Sequence, residues 1–313
     1  MLSYLTGRVL ALVPVLLVVA VVVFLLIHVT PGDPARVLLG QDATPEQVAN
    51  LRHEMGLDRP LGVQFVLWLG RALHGDLGLS LFQRIPVTSD LLLHAGPTVT
   101  LSLMAICVSL LIGIPAGVVS AVFRNSWIDQ SSLALAMLGA AVPSFWLGLS
   151  LIVLFAVNLG WLPSSGYRPP AGGLAESFRY LILPALALGL PNSSLIIRFT
   201  RSSLLDVISH DYIRTARAKG VSEAAVVFHH AFRNALVPIL TVVGLTFGAL
   251  MGGAVVTETV FSLPGVGQLV VSSVLRRDYP VIQGVILTVA MIYVLLNLAV
   301  DLMYCLVDPR VKY

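Results

Sequence analysis

Residues Asp211–Pro238 read DYIRTARAKGVSEAAVVFHHAFRNALVP, a basic, helix-prone stretch between two long apolar runs. Asp211 stands where a carboxylate caps a short helix over Tyr212–Lys219. Lys219 falls in that helix's last turn, where a cation suits the dipole, and Gly220 fits the left-handed residue that ends it. Ser222 then stands as the cap of a second helix with Glu223 in its first turn. The expectation is a helix, a glycine joint and a helix, held between two membrane spans.

Outward from this stretch the chain is membrane-grade. Of its 313 residues 57% are hydrophobic and only 11% charged, against about 25% charged in soluble domains. The mean hydropathy is +0.91. A net charge of +3 without a long basic run argues against nucleic acid as a partner. The two cysteines, Cys107 and Cys305, lie in apolar runs without metal-ligand spacing and read as small buried apolar residues.

Six apolar runs are each long enough to cross a bilayer, for which about 20 residues suffice: Val9–Val29, Thr98–Phe123, Ser131–Gly160, Tyr180–Ile197, Asn234–Thr257 and Pro280–Val300. The first is too long for a cleavable signal peptide and is kept as a span. It ends at Thr30-Pro31-Gly32-Asp33-Pro34, where prolines forbid continuation. The fourth holds Pro184, Pro191 and Asn192; a span so interrupted needs neighbouring protein around it and belongs inside the bundle. The fifth carries Gly244, Gly248, Gly252 and Gly253 at helical spacing, which permits close approach of another backbone. Glu258 and Asp301 stand near span ends, where a carboxylate reaches water or a partner.

The one long polar segment, about 31–97, contains a capped helix from Thr44-Pro45-Glu46 to Met55, a second over Val63–Leu73, a turn at His74–Ser80 and a short amphipathic helix over Pro86–His94. Six spans place both termini on one side. If that side is cytosolic, ten basic residues lie inside (Arg8, Arg124, Arg198, Arg201, Arg214, Arg217, Lys219, Arg233, Arg310, Lys312). Four lie in the short outer loops (Arg168, Arg179, Arg276, Arg277). The imbalance predicts cytosolic termini and a cytosolic Asp211–Pro238 loop.

That loop resembles the EAA loop of ABC-importer permeases, in the form found in the dipeptide, oligopeptide and nickel family. The residues that carry the resemblance are Tyr212-Ile213-Arg214-Thr215-Ala216-Arg217-Ala218-Lys219-Gly220, then His230-Ala231-Phe232-Arg233-Asn234-Ala235 and Pro238. Arg214-Thr215-Ala216 stands where Glu-Ala-Ala names the motif in the wider superfamily, a departure typical of this branch. Further matches are Gly56–Leu61, Gly75–Ser80, Pro86-Val87, the Thr257–Gly267 run and the Asp308-Pro309-Arg310 ending.

The resemblance implies an all-α polytopic membrane protein with the type I ABC importer permease fold: six transmembrane helices and an extracytoplasmic helical segment between helices 1 and 2. The implied organisation is an N-terminal transmembrane helix (1–30), an extracytoplasmic segment (31–97), a core of five transmembrane helices (98–306) with the EAA-type loop at 202–235, and a cytosolic tail (307–313). It implies a multi-pass protein of the bacterial inner membrane. Its partners would be a second homologous permease in a heterodimer, two P-loop ATPase subunits or domains, an extracytoplasmic substrate-binding protein and membrane lipid.

The coupling residues so implied are Tyr212, Arg214, Thr215, Ala216, Arg217, Lys219, Gly220, Ser222, Glu223, Val227, His230, Arg233 and Asn234. A helix around Ser222–His229 would sit in a groove of the ATPase, braced by Tyr212–Lys219. Arg214, Arg217 and Lys219 would pair with acidic ATPase groups or enforce topology. Arg233 and Asn234 would tie the loop to the bundle. Asn192 and Ser193 are the candidates for the substrate pathway. Di- or oligopeptides are the first cargo, nickel chelates and glutathione the alternatives.

No phosphate loop of the G-x-x-x-x-G-K-[ST] type is present, nor H-E-x-x-H, G-x-S-x-G or C-x-x-C. The chain is therefore expected to bind no cofactor, with ATP and Mg on the partner subunits, and to be no enzyme itself. His229-His230 is a poor chelate, because adjacent helical residues point about 100° apart. A stand-alone secondary transporter would want mid-depth charges or an internal repeat. An intramembrane enzyme would want a nucleophile and base at one depth.

Overall fold

A computed structural model describes residues 2–29, 33–40 and 42–307. The Asp308-Pro309-Arg310 tail and the Thr30–Gly32 part of the first exit lie outside the described residues. Contacts divide the chain into two compact units, Met1–Gly96 with Gln268–Leu295, and Pro97–Gly267 with Leu296–Tyr313.

In the first unit, α1 (Leu2–Val29) is the apolar opening helix. Helix α2 (Pro34–Leu39) starts at Asp33, whose side chain accepts from the Ala35 amide at 3.0 Å. Helix α3 (Pro45–Glu54) carries the expected cap in its fuller form, a capping box. Thr44 Oγ1 accepts from the Gln47 amide (3.3 Å), and Gln47 Oε1 accepts from the Thr44 amide (3.0 Å). Helix α4 (Leu61–Leu73) packs Phe65 and Trp68 on Phe24 of α1, with ring centroids 5.4 and 5.9 Å apart. The Gly75–Ser80 turn is pinned by Asp278, which accepts from Ser80 Oγ at 2.6 Å and from the Leu81 amide at 3.1 Å. Gln283 donates to the Val23 carbonyl at 3.0 Å.

Helix α5 (Val87–Val122) overturns the expected separate helix over Pro86–His94: one 36-residue helix runs straight through, with Pro97 and Pro115 inside. Neither proline ends it: each removes one amide donor from the ladder while the helical backbone continues on both sides, and Thr100 Oγ1 adds a bond to the Pro97 carbonyl at 3.0 Å. The third run departs in the opposite sense. Instead of one span over Ser131–Gly160, α6 (Trp127–Ala141) and α7 (Ser144–Leu151), prolonged by a π-helical stretch Ile152–Asn158, meet at 97°. Pro143 begins the second arm, and its predecessor Val142 is extended (φ −82°, ψ 120°), as the residue before a proline prefers.

Helix α8 (Leu174–Ile208) is longer than the Tyr180–Ile197 span expected and continues through both prolines. Its central position was expected and is observed: Leu181, Leu183, Ala185, Ala187 and Leu188 form a core with Leu101, Ala105, Leu250, Ala254 and Phe261. The close backbone approach expected of span five occurs on this helix instead. A Cβ on Gly189 would lie 2.6 Å from the Ala105 carbonyl oxygen, and one on Gly117 2.8 Å from that of Ile197. Of the span-five glycines, Gly244 faces the Val300 side chain and Gly253 that of Leu188, while a Cβ on Gly252 would meet no other helix or side chain among the described residues within 4 Å.

The remaining helices are α9 (Asp211–Ala218), α10 (Glu223–Ala225), α11 (Phe232–Val260), α12 (Val266–Arg276) and α13 (Tyr279–Val307); a π-helical stretch, Val226–Ala231, joins α10 to α11. Among the described residues, five helices are long and apolar enough to cross a membrane, and six if the α6–α7 pair counts as one broken span.

Candidate coupling loop

Helix α9 forms one arm of the loop. Its N-cap is His210, one residue before the expected Asp211, and no side chain caps it. Asp211 sits inside the first turn, 3.5 Å from Arg214, where its charge still suits the dipole. The other end matches expectation closely. Gly220 has φ +80°, the Gly220 amide bonds the Arg217 carbonyl (2.9 Å), and the Val221 amide bonds that of Ala216 (3.2 Å). This is the paired bonding of a Schellman cap.

The second arm corrects the reading of a separate short helix. Ser222 is extended and begins the helix, but its hydroxyl makes no capping bond. From Glu223 the helical backbone runs without interruption into the apolar span, through Val260. The expected boundary at Asn234 is absent, so the second arm is rigidly continuous with a membrane helix.

Both arms stand on an apolar cluster: Ile213 and Ala216 from α9, Val226, Val227, Ala231, Ala235 and Ile239 from the second arm, Leu204 from α8, and Val118 and Ala121 from α5. Ile213, Val226 and Ala231 are wholly buried. Two of the expected coupling-loop residues, Ala216 and Val227, pack within this cluster and present almost no surface. Tyr212, Arg214, Thr215, Lys219, Ser222, Arg233 and Asn234 are exposed, and His230 is half-buried.

Two polar ties join the arms. Arg217 grips Glu223 across the glycine joint, Nε–Oε1 2.7 Å and Nη2–Oε2 3.1 Å. The Glu223 carboxylate raises the Arg217 pKa above its ordinary value, so the guanidinium is charged throughout the physiological range. Arg217 is thus engaged within the loop. Asn234 donates to Tyr212 Oη at 3.1 Å and to the His230 carbonyl at 2.7 Å, tying arm to arm. The His229 and His230 rings meet edge to face, 5.4 Å apart.

Three features escaped the sequence reading. Phe228 is 64% exposed on the second arm, an aromatic left outside the Val227, Ala231, Ala235, Ile239 stripe; that four-residue spacing was the signal for it. Asp129 is buried at the start of α6. It accepts from Arg201 of α8 (Nε 2.6 Å, Nη2 2.7 Å), Ser120 of α5 (2.5 Å) and the Asn125 amide (2.9 Å), joining three helices. Arg201, counted as a cytosolic charge, spends that charge here.

The third is Glu258, expected within reach of water or a partner and found wholly buried. It accepts from Thr98 Oγ1 at 2.5 Å, and that oxygen accepts from the Val266 amide at 2.8 Å. A Cβ on Gly265 would overlap the Glu258 carboxylate, which explains the glycines of the Thr257–Gly267 run. The pathway candidates fare differently. Ser193 is buried with its hydroxyl on the Leu190 carbonyl (2.6 Å), and half-buried Asn192 donates to that of Leu188 (2.7 Å), so both are bonded within their own helix.

Residues 113–313 match the binding-protein-dependent transport system inner membrane component. The chain belongs to that family. Residues 1–86 match the N-terminal part of the same kind of membrane component. This permease is 45% identical over 313 residues, the whole of both chains, to the glutathione transport system permease protein GsiC of Salmonella paratyphi A, and 44% to that of Escherichia coli K12. Among solved structures it resembles a chain of the inward-facing MetNI methionine ABC transporter, with a TM-score of 0.59 and 20% identity, covering 70% of this permease and 96% of that chain. The fold is that of a type I ABC importer permease, and the protein is a multi-pass permease subunit of an ABC importer.

Proposed function

We propose that this permease forms half of a translocation pathway for short peptides, with glutathione the first cargo to test. It would work beside a second homologous permease, two P-loop ATPase subunits that hold ATP and Mg, and an extracytoplasmic binding protein that delivers cargo. The observation that carries the cargo reading is the full-length 45% identity to glutathione permeases. It favours glutathione over nickel chelates and unmodified oligopeptides.

The mechanism follows from the loop. The exposed face of Tyr212, Arg214, Phe228 and His229 would dock on the ATPase, with the termini and the loop cytosolic. Ala216, Val227 and Ile213 would transmit the push into α5 and α8 through the buried cluster. Because the second arm is continuous with α11, a displacement of the arm moves the span directly. Closure of the two ATPases would thereby change the side to which the pathway opens.

The test is uptake of radiolabelled glutathione into proteoliposomes holding the four-subunit membrane complex and the binding protein, driven by ATP. Uptake competed by unlabelled glutathione supports the reading. ATP-driven uptake of a dipeptide or nickel chelate that glutathione does not compete would replace the cargo and leave the mechanism standing.

A further inference from the structure

Helix α4 has three distinct sides. Phe65 and Trp68 face α1. On a second flank, Gln64 is turned to the protein: it donates to the carbonyls of Leu57 (3.2 Å) and Arg59 (2.7 Å), and His28 of α1 lies 3.3 Å from its oxygen. That flank, with Arg71, borders a cavity of about 460 Å³. The third face carries Val63, Val66, Gly70 and Leu73 at helical spacing; Val66 is 66% exposed and Leu73 78%. It holds no charged or hydrogen-bonding side chain.

Depth decides what covers that face. Phe24 lies within the apolar span Leu10–Val29, five residues from its end, about 7 Å below the exit at 1.5 Å per residue. Since the Phe65 and Trp68 rings pack against Phe24, edge-on and tilted, α4 lies beside the last turns of a membrane span. An amphipathic interfacial helix sinks about 5–10 Å into the boundary between headgroups and acyl chains. Most of the apolar window of α1 is itself uncovered, so the α4 face continues a surface already matched to lipid. We propose that α4 is an interfacial membrane helix, with Val63, Val66 and Leu73 in the acyl chains and Gln64 and Arg71 on the wet flank.

The test places a spin label on Val66→Cys in a Cys107→Ser, Cys305→Ser background. The assembled transporter is embedded in nanodiscs of phosphatidylethanolamine and phosphatidylglycerol. Collision rates are measured with dissolved oxygen, which concentrates in lipid, and with chromium oxalate, which stays in water. The label is expected to meet oxygen several-fold more than chromium oxalate, with the reverse at Glu46→Cys on α3. Preference for chromium oxalate at Val66→Cys would place the face in water. Low rates with both reagents would place it under a partner protein, the second permease or the binding protein. Either result overturns the proposal. Val63→Cys repeats the measurement if Val66→Cys does not assemble.

Discussion

The Asp211–Pro238 loop and the Thr257–Gly267 run belong to the same compact unit but are held by opposite means. The loop stands on apolar side chains, from wholly buried Ile213 to wholly buried Ala235, and carries its charges outward; its ion pairs, Asp211–Arg214 and Arg217–Glu223, are exposed. The Thr257–Gly267 run folds over a buried carboxylate, with Thr98 bridging Glu258 to the Val266 amide and no space for a side chain above it. Apolar packing leaves the outer face of the loop free to vary and to meet a partner. A buried carboxylate under a glycine turn leaves no such freedom. The first arrangement suits a surface that docks, the second a corner that must not move.

The largest effect is expected at the corner. Gly267→Val would put a Cβ 2.5 Å from Val255 Cα as well as against the carboxylate, and overpacking of that kind costs about 3 kcal/mol or more when backbone must yield. Loss of folded protein in a detergent thermal melt is the expected readout, and a wild-type melt would break the comparison. Glu258→Ala comes next, at about 1–3 kcal/mol, because Thr98 loses its buried acceptor; a smaller loss than Arg217→Ala in the same melt would reverse the ranking. Gly220→Val forces a β-branched residue into φ +80°, at a cost of about 1–2 kcal/mol. It should leave membrane insertion intact and lower transport per ATP hydrolysed. Arg217→Ala removes an exposed pair and should shift stability by less than about 1 kcal/mol. Ser222→Ala should be close to silent, since the hydroxyl makes no capping bond; a melt shifted as far as that of Gly220→Val would show a cap formed in solution.

Much of this was legible from residue order. Apolar run lengths located the spans, Thr44-Pro45-Glu46 located α3, and Gly220 located the joint, because each signal is local. What escaped is set by distance or by tertiary support. Asp129 and Arg201 are 72 positions apart, and only the packing of α6 on α8 brings them together. Pro143 and Pro97 look alike in a window, yet one turns the chain by 97° and the other sits inside an unbroken helix; surrounding packing decides which. The burial of Glu258 was hinted by glycines at Gly265 and Gly267, which make sense only once the carboxylate beneath them is seen. Ala216 and Val227 read as motif positions and proved to be packing residues, since a motif match does not say which face a residue takes.

The central claim is that the outer face of the loop meets an ATPase. Phe228→Cys, in a Cys107→Ser, Cys305→Ser background, would be paired with cysteines scanned across the membrane-facing surface of the co-expressed P-loop ATPase. Disulfide crosslinking would be measured with and without ATP. A crosslink to the ATPase whose yield changes with nucleotide is the result predicted here. A Phe228→Cys thiol open to water-soluble alkylating reagent in the transporting complex, with no crosslink at any position, would contradict it.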